Sequence, residues 1–319
     1  MAVHLLEHVA VPLISPITPG PTDVISGLIP KKGQVLISGE TNVGKSLIAL
    51  EICSSLVTMQ PLWGEIEPNE QLKRIVYVLG EHYNEVIQRL WQLTGLPMTD
   101  QVWLLGPDKL GSDKWLVHSG RPNSGAIDKF KGWVEGADLV VFAPLSAFLC
   151  GSDVENDNSQ MRLLLDIMSG ITQSAGASCL ILAHQGKPSM DRFGQEHHRM
   201  TYAIRGASAI EDAATNIFYM HKHSDIQQEG GSNPNLFRLK CRKYKGIAPD
   251  FYYLLRNEET KVHRLINSNR PNSDLKKAKV IGRVTELQIE NSLTLTKAVE
   301  AAASEFNIGD RMVWRYLKG

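Results

Sequence analysis

A short glycine-rich stretch carries the clearest chemistry in the chain. Its residues follow the pattern G-x-x-x-x-G-K-[ST] of a phosphate-binding loop, with Gly39, Glu40, Thr41, Asn42, Val43, Gly44, Lys45 and Ser46 in order. The glycines let backbone N–H groups turn toward a polyphosphate, Lys45 would reach the β- and γ-phosphates, and the Ser46 hydroxyl would bind Mg²⁺. The stretch predicts a nucleotide site, and the alternative is a purely structural glycine turn.

The elements around this loop are those that its chemistry requires. An apolar run predicts a buried strand over Gln34–Ser38, and the residues from Leu47 onward predict a helix that would point its N-terminus at the phosphates. Strands are then expected at Arg74–Leu79, Val102–Leu105, Asp138–Phe142 and Ala177–Ala183, alternating with helices at Val86–Leu93, Ala126–Glu135, Asn158–Ala175 and Arg205–Ala214. Further strands follow in series at Asn216–Met220, Phe237–Lys240, Phe251–Leu255 and Val262–Ile266. This order predicts an α/β fold with a mostly parallel sheet, flanking helices and antiparallel C-terminal strands.

Polar stretches predict loops and a domain boundary. Residues 106–125 and 185–203 are expected to be loops, and residues 267–275 form a polar, proline-containing linker. The linker would separate a large α/β domain with the phosphate loop, over residues 1–266, from a small helical domain over residues 276–319. Helices at Leu295–Glu305 and Arg311–Leu317 resemble a helix-turn-helix. That pair is compatible either with DNA contact or with an interaction or oligomerisation appendage.

Bulk composition excludes several classes of protein. The chain has 319 residues, 43% of them hydrophobic, which is enough for one large domain and a small one. Its formal net charge is zero, so no global field draws it to nucleic acid, and any basic surface must be local. The apolar N-terminus lacks a basic leader and contains Pro12 and Pro16, so neither a signal peptide nor a membrane span is predicted. The cysteines are scattered without a C-x-x-C pair, which is typical of reduced thiols in a cytoplasmic protein.

Further motifs follow the phosphate loop in a characteristic order. They are Val78–Glu81 at a strand end, the apolar strand Leu139–Phe142 with Pro-Leu-Ser shortly after it, the segment Leu180–Lys187, and Arg205–Ser208. Together with the loop, they resemble the RecA-like hexameric ATPases, especially the plasmid RepA-type replicative helicases and more distantly the DnaB-type helicases. The resemblance covers residues 20–265. It implies a RecA-like fold, ATP and Mg²⁺ as ligands, ATP hydrolysis, and a homo-oligomeric, hexameric ring.

The resemblance also implies roles for individual residues. Glu81 would act as the general base that activates the attacking water, and His184 or Gln185 would sense the γ-phosphate. Arg205 would be an arginine finger, delivered to the active site of a neighbouring subunit. The alternatives are a surface loop residue for Glu81 and a hydrogen-bonded core residue for His184.

One position departs from the family pattern. Ala143 stands where the family has the aspartate that holds Mg²⁺. Asp138 cannot replace it, because it lies at the other end of the same strand, about 15 Å away at about 3.3 Å per residue. The residue has either been changed to trap a bound state, or the protein is naturally weak in hydrolysis. Both interpretations predict a chain that binds ATP and hydrolyses it poorly.

Local basic residues suggest contacts beyond the nucleotide. Lys243 and Lys245 lie in a basic run that could reach phosphates across a subunit boundary or could simply protect a solvated strand edge. In RecA-like rings, loops that here correspond to residues 147–157 and 186–203 face the central channel. The second carries Lys187, Arg192 and Arg199, which we expect to contact single-stranded DNA, whereas the first is acidic.

Three functions remain open at this stage. The first is a ring-forming, DNA-stimulated ATPase or helicase. The second is a RecA-like ATPase that loads or regulates a replication or recombination partner protein. The third is a nucleotide-gated scaffold without hydrolysis, which Ala143 would permit.

Overall fold

The computed structural model describes most of the chain between Asp23 and Leu317. The described residues are 23–81, 84–97, 99–150, 158–185, 189–190, 196–197, 212–222, 235–243, 251–267, 284, 287, 294–305 and 309–317. The N-terminal stretch, the predicted linker and most of the predicted helix Arg205–Ala214 lie outside these residues.

Strands run through the described chain from its first residue to Asn267. The N-terminal ones are β1 (Asp23–Ile25), β2 (Ile29–Pro30), β3 (Gln34–Gly39), β4 (Ile75–Leu79), β5 (Val102–Leu105), β6 (Val117–His118), β7 (Arg121–Pro122), β8 (Leu139–Ala143) and β9 (Leu149–Cys150). The C-terminal ones are β10 (Ser178–His184), β11 (Ser189–Met190), β12 (Glu196–His197), β13 (Asn216–Lys222), β14 (Leu236–Lys243), β15 (Phe251–Arg256) and β16 (His263–Asn267). The main strands begin and end close to the predicted boundaries.

Helices flank these strands in the predicted alternation. They are α1 (Lys45–Thr58), α2 (Asn84–Thr94), α3 (Pro107–Leu110), α4 (Ser124–Trp133), α5 (Asn158–Ala175), α6 (Leu295–Glu305) and α7 (Asp310–Leu317), with short 3₁₀ helices at Gly111–Lys114 and Leu145–Phe148. Among the described helices, none is long and apolar enough to cross a membrane.

A single large sheet organises the fold. Within the described residues, nine strands pair in the order β16-β15-β14-β13-β3-β10-β8-β4-β5. The strands from β13 to β5 are parallel to one another, and β14, β15 and β16 extend the sheet by antiparallel pairing. The predicted α/β class, with a mostly parallel sheet and antiparallel C-terminal strands, is confirmed.

Parallel pairing brings the predicted motifs to one edge of the sheet. The register pairs His184 of β10 with Gly39 of β3, and Leu79 of β4 with Ala143 of β8. Since parallel strands end at the same edge, the ends of four strands meet where the phosphate loop begins. Buried side chains on both faces of the sheet hold these strands in place, which explains their near-continuous apolar sequences.

Two local expectations need correction. Residues 106–125 contain α3, a 3₁₀ helix, β6 and β7 rather than a plain loop. Their short elements are fixed by tertiary contacts, for example the Leu116 backbone N–H donating to Phe148 O at 3.0 Å, which no local pattern announces. The described part of the basic run, Arg238–Lys243, lies on β14, an interior strand between β13 and β15, so the alternative of a solvated edge strand is wrong for these residues.

The C-terminal helices and the cysteines agree with the sequence. α6 and α7 occupy almost the predicted ranges, and a small apolar cluster includes Ala298, Val299, Ala302 and Val313. The division into domains stays a prediction. All four cysteines lie in the described part of the chain, and none forms a disulfide. Burial raises the pKa of the Cys53 and Cys179 thiols to about 12, which keeps them protonated at neutral pH.

Candidate functional site

The phosphate loop joins β3 to α1 with a backbone that only glycine can follow at two points. A Cβ on Gly39 would lie 2.6 Å from the carbonyl oxygen of Met220, which is far too close. Gly44 has φ 109°, in the left-handed region that side chains disfavour. Because α1 begins directly after Gly44, its first N–H groups have no helical partners and face the space above the loop. This is the geometry that binds anions.

The ammonium group of Lys45 lies inside this loop. Its Nζ donates to the carbonyl oxygens of Gly39 and Glu40, each at 2.8 Å. The residue is only 6% exposed, and this burial lowers the pKa of Lys45 to about 8, although the Glu40 carboxylate opposes the shift. Because the Glu40 carboxylate offsets only part of the cost of burying this cation, the site favours binding of a negatively charged phosphate.

The end of β10 meets the same lysine. His184 Nδ1 lies 3.4 Å from Lys45 Nζ, so His184 is placed where it would contact a terminal phosphate. The Gln185 backbone N–H donates to Gly39 O at 3.1 Å, and its side-chain Nε2 is buried with no hydrogen-bond partner among the described residues. The structure thus brings both predicted sensor residues next to the loop, and their roles stay predictions.

Glu81 and Ala143 close one end of the site. Together with Lys45, Ser46 and His184, both line a cavity of about 430 Å³ above the loop. The Gly80 N–H donates to Ala143 O at 2.9 Å, so the residue before Glu81 is fixed to the end of β8. Ala143 presents only a methyl group here. Asp138 lies at the opposite end of β8, where its carboxylate accepts from the N–H groups of Lys73 and Arg74 at 2.8 and 3.0 Å.

Two basic residues at the other end of the cavity were not predicted from the sequence. Arg256 and Lys261 line the same cavity as Glu81 and Ala143. They stand at the two ends of the turn that joins β15 to β16, far from the loop in sequence. The only signal in the sequence is a basic residue at the predicted end of a late strand, which is too common to be informative.

Of the remaining predicted residues, the described part of the chain includes Lys243. Lys243 pairs with Ile217 at the start of β13. This is the end of the strands away from the phosphate loop, so Lys243 cannot reach its own chain's site. Five residues lie outside the described part of the chain: Lys187, Arg192, Arg199, Arg205 and Lys245. The expected contacts with DNA and with a neighbouring subunit therefore stay predictions.

The residues present fit a nucleotide better than they fit its metal ion. The loop amides and Lys45 suit a polyphosphate, and Ser46 supplies one hydroxyl for Mg²⁺. Glu81 is the carboxylate on that side, since Ala143 supplies none. No group of three or more His, Cys, Asp and Glu that could hold a metal occurs among the described residues. Mg²⁺ would therefore be held mainly by phosphate oxygens and water.

Comparisons with known proteins agree with this geometry. The chain matches the family model of the AAA domain over residues 5–190. That is more than half of the chain, and the protein belongs to this family. A comparison with curated proteins finds no match.

Solved structures of ATPases share the fold. A DnaB-like replicative helicase, described with its interactions with primase, aligns at TM-score 0.54 and 13% identity, covering 82% of this chain and 66% of that one. A second solved structure, which consists of an ATPase domain, aligns at TM-score 0.52 and 12% identity, covering 83% of this chain and 96% of that one. The chain thus spans just under two thirds of the DnaB-like helicase. At these identities the likeness shows the fold alone, and that fold is the RecA-like P-loop fold.

Proposed function

We propose that the protein is an ATP-binding, ring-forming RecA-like ATPase that acts on single-stranded DNA, of the replicative helicase type, and that Ala143 impairs its hydrolysis. The observation that carries the proposal is the convergence of Lys45, His184 and Glu81 on one cavity above a helix N-terminus. Family membership and the shared fold support ATPase chemistry. The cytoplasm is the location that this function implies.

The cavity suggests how the chain would carry out hydrolysis. Loop amides and Lys45 would hold the β- and γ-phosphates, and the Glu81 carboxylate would take a proton from the water that attacks the γ-phosphorus. ADP then leaves as phosphate forms, and His184 beside Lys45 would register the change. When bound, Mg²⁺ would neutralise charge on the phosphates. Without a carboxylate at Ala143 the metal would be less well held, which is why we expect slow turnover.

The ring and the DNA contacts rest on residues outside the described part. Arg205 would complete the site of a neighbouring subunit, so the ring would be needed for turnover. Lys187, Arg192 and Arg199 would contact the DNA backbone in the channel. Lys243 lies at the end of the strands away from the phosphate loop of its own chain, which is compatible with a contact to another subunit.

A second candidate function follows from the methyl group of Ala143. If the alanine is native, nucleotide binding alone could control assembly or the loading of a replication partner. In that case the protein would be a nucleotide-gated scaffold or a regulator rather than a motor.

The deciding experiment compares ATP turnover by this chain and by Ala143→Asp, each with and without single-stranded DNA. The motor proposal expects slow turnover by the chain as it stands and a large, DNA-stimulated gain in the variant. If both proteins stay inactive with DNA while still binding ATP, the motor proposal is wrong and the scaffold is favoured. Unwinding of a forked duplex by the active variant would then separate a helicase from a loader.

A further inference from the structure

The guanidinium group of Arg256 approaches the phosphate loop from the antiparallel side of the sheet. β15 runs parallel to β3, so its last residue emerges at the same edge as the loop. Arg256 Nη1 lies 4.0 Å from the point that a Cβ on Gly44 would occupy. The arginine therefore covers the start of α1, where unpaired backbone N–H groups already favour an anion.

This guanidinium packs against an aromatic ring, and one of its nitrogens lacks a hydrogen-bond partner among the described residues. Its central carbon lies 4.6 Å from the centroid of the Phe237 ring, a cation–π contact that fixes its plane. Its Nε is buried and has no hydrogen-bond partner among the described residues. Leaving a buried charged donor without a partner is costly, so the group is prepared for an acceptor that the described residues do not supply.

The location of Arg256 identifies which part of a nucleotide it would meet. Glu81 and Ala143 mark the end of the cavity where the γ-phosphate would react, because Glu81 follows β4 and Ala143 ends β8, both on one side of β3. Arg256 ends β15, and Lys261 lies in the turn that leads to β16, on the other side of β3. A nucleotide lying along the loop would therefore present its innermost phosphate to Arg256.

A buried network ties the Arg256 hairpin to the helix of the phosphate loop. Glu51 of α1 accepts from the His263 backbone N–H at 2.7 Å, from His263 Nδ1 at 3.0 Å and from Trp63 Nε1 at 2.9 Å. His263 pairs with Arg256 across the β15–β16 ladder. Its ring also meets Phe237 edge-on, at 5.4 Å between centroids. Glu51 thereby connects α1 to β16, the strand that pairs with the end of β15 at Arg256.

We infer that Arg256 binds the α-phosphate of the nucleotide in cis, and that the Glu51–His263 pair positions it for this contact. The inference rests on the proposed nucleotide-binding function and adds a second anchor to it. One nucleotide would then join two distant parts of the sheet, the loop after β3 and the hairpin after β15.

The first experiment measures the affinity of the full-length protein for ATP, ADP and inorganic tripolyphosphate. Arg256→Gln should weaken all three by about 10- to 100-fold, the range for losing a hydrogen bond to a charged group. Arg256→Lys should recover part of the loss, since lysine keeps the positive charge but lacks the paired N–H donors of the guanidinium group. The matched control is Arg264→Gln, an exposed arginine on the same hairpin that does not line the cavity and should change nothing.

The outcomes separate this inference from the proposed function. If Lys45→Ala loses binding and Arg256→Gln does not, the α-phosphate contact is wrong while the nucleotide site stands. If Lys45→Ala also binds normally, the proposed function fails as well. If Arg256→Gln weakens ATP but leaves tripolyphosphate unchanged, the arginine recognises the nucleoside and the phosphate assignment is overturned.

A double-mutant cycle tests the positioning residues. Glu51→Gln should weaken ATP binding several-fold in the otherwise unchanged protein and should have no further effect in the Arg256→Gln background. His263→Asn keeps a side-chain N–H near the position of Nδ1 and should preserve most of the affinity, whereas His263→Leu should not. Equal losses from Glu51→Gln in both backgrounds would show a general destabilisation and refute the positioning role.

Discussion

The two ends of the nucleotide cavity are built in opposite ways. At one end, Glu81 follows one parallel strand and Ala143 ends another, and they supply a carboxylate and a methyl group. At the other, Arg256 and Lys261 stand on an antiparallel hairpin and supply positive charge. The first end is suited to chemistry at the γ-phosphate, and the second is suited to holding the nucleotide. This contrast suggests a chain in which binding is well supported and hydrolysis is not.

The sharpest test of the reactive end removes the Glu81 carboxylate. In the Ala143→Asp variant, Glu81→Gln should lower single-turnover hydrolysis by about 10²- to 10⁴-fold, the usual contribution of a general base, without weakening ATP binding. Glu85→Gln is the matched control, because Glu85 is exposed and does not line the cavity. Hydrolysis that survives Glu81→Gln unchanged would assign the base elsewhere.

Removal of the loop cation should produce the next largest effect. Lys45→Ala should weaken ATP and ADP binding by about 100-fold or more, because it deletes charge-assisted contacts to two phosphates. Isothermal titration calorimetry measures the loss, and thermal unfolding checks that the protein stays folded. Lys31→Ala removes an exposed lysine that is paired with Glu70 at 2.8 Å, and should bind normally. Tight binding by Lys45→Ala would refute the phosphate-loop assignment.

The pH dependence of binding should report on the same lysine. Burial lowers the pKa of Lys45 to about 8 in the free protein, and phosphates would raise it again by favouring the charged form. Above pH 8 binding must therefore take up a proton, and ADP affinity should fall by up to about tenfold per pH unit. Titration between pH 7.5 and about 9.5 measures this slope. Lys45→Arg stays protonated and should remove it, whereas an identical slope in that variant would assign the titration to another group.

Lys261 should give the smallest effect. Its Nζ donates to the Glu258 carbonyl oxygen and the residue is exposed, so solvent screens its charge. We expect Lys261→Gln to weaken ATP binding by only about two- to threefold, which is typical of an exposed charge. An effect as large as that of Arg256→Gln would mean that the whole hairpin, rather than the arginine alone, contacts the phosphates.

The reactive end of the cavity could be anticipated because its residues follow their strands directly. Glu81 and Ala143 come at or just after the ends of apolar runs, and parallel pairing places such residues at a common edge. The binding end could not be anticipated in this way. Arg256 reaches Gly44 only because β14 and β15 fold back beside β13, which is a matter of strand order rather than of local pattern.

The same difference separates local from long-range features elsewhere. α5 runs over Asn158–Ala175 as its helical apolar spacing predicts, because periodicity determines which face is buried. The small elements between Gly106 and Gly125 were missed, since they depend on contacts such as Leu116 N–H to Phe148 O. The alternative that placed the basic run around Lys243 on a solvated strand edge also failed, because β15 covers that side of β14.

By itself, the sequence determined the phosphate loop, the α/β order and the presence of an alanine, Ala143, at the end of a core strand. These features depend on covalent order and short-range preferences, namely glycine's backbone freedom, apolar periodicity and the residue type at a strand end. Only the tertiary structure decided that Arg256 shares the cavity with Lys45, and that Glu51 and His263 connect its hairpin to α1. Those contacts join residues about 200 positions apart, such as the 212 between Glu51 and His263, and only the pairing of the whole sheet brings them together.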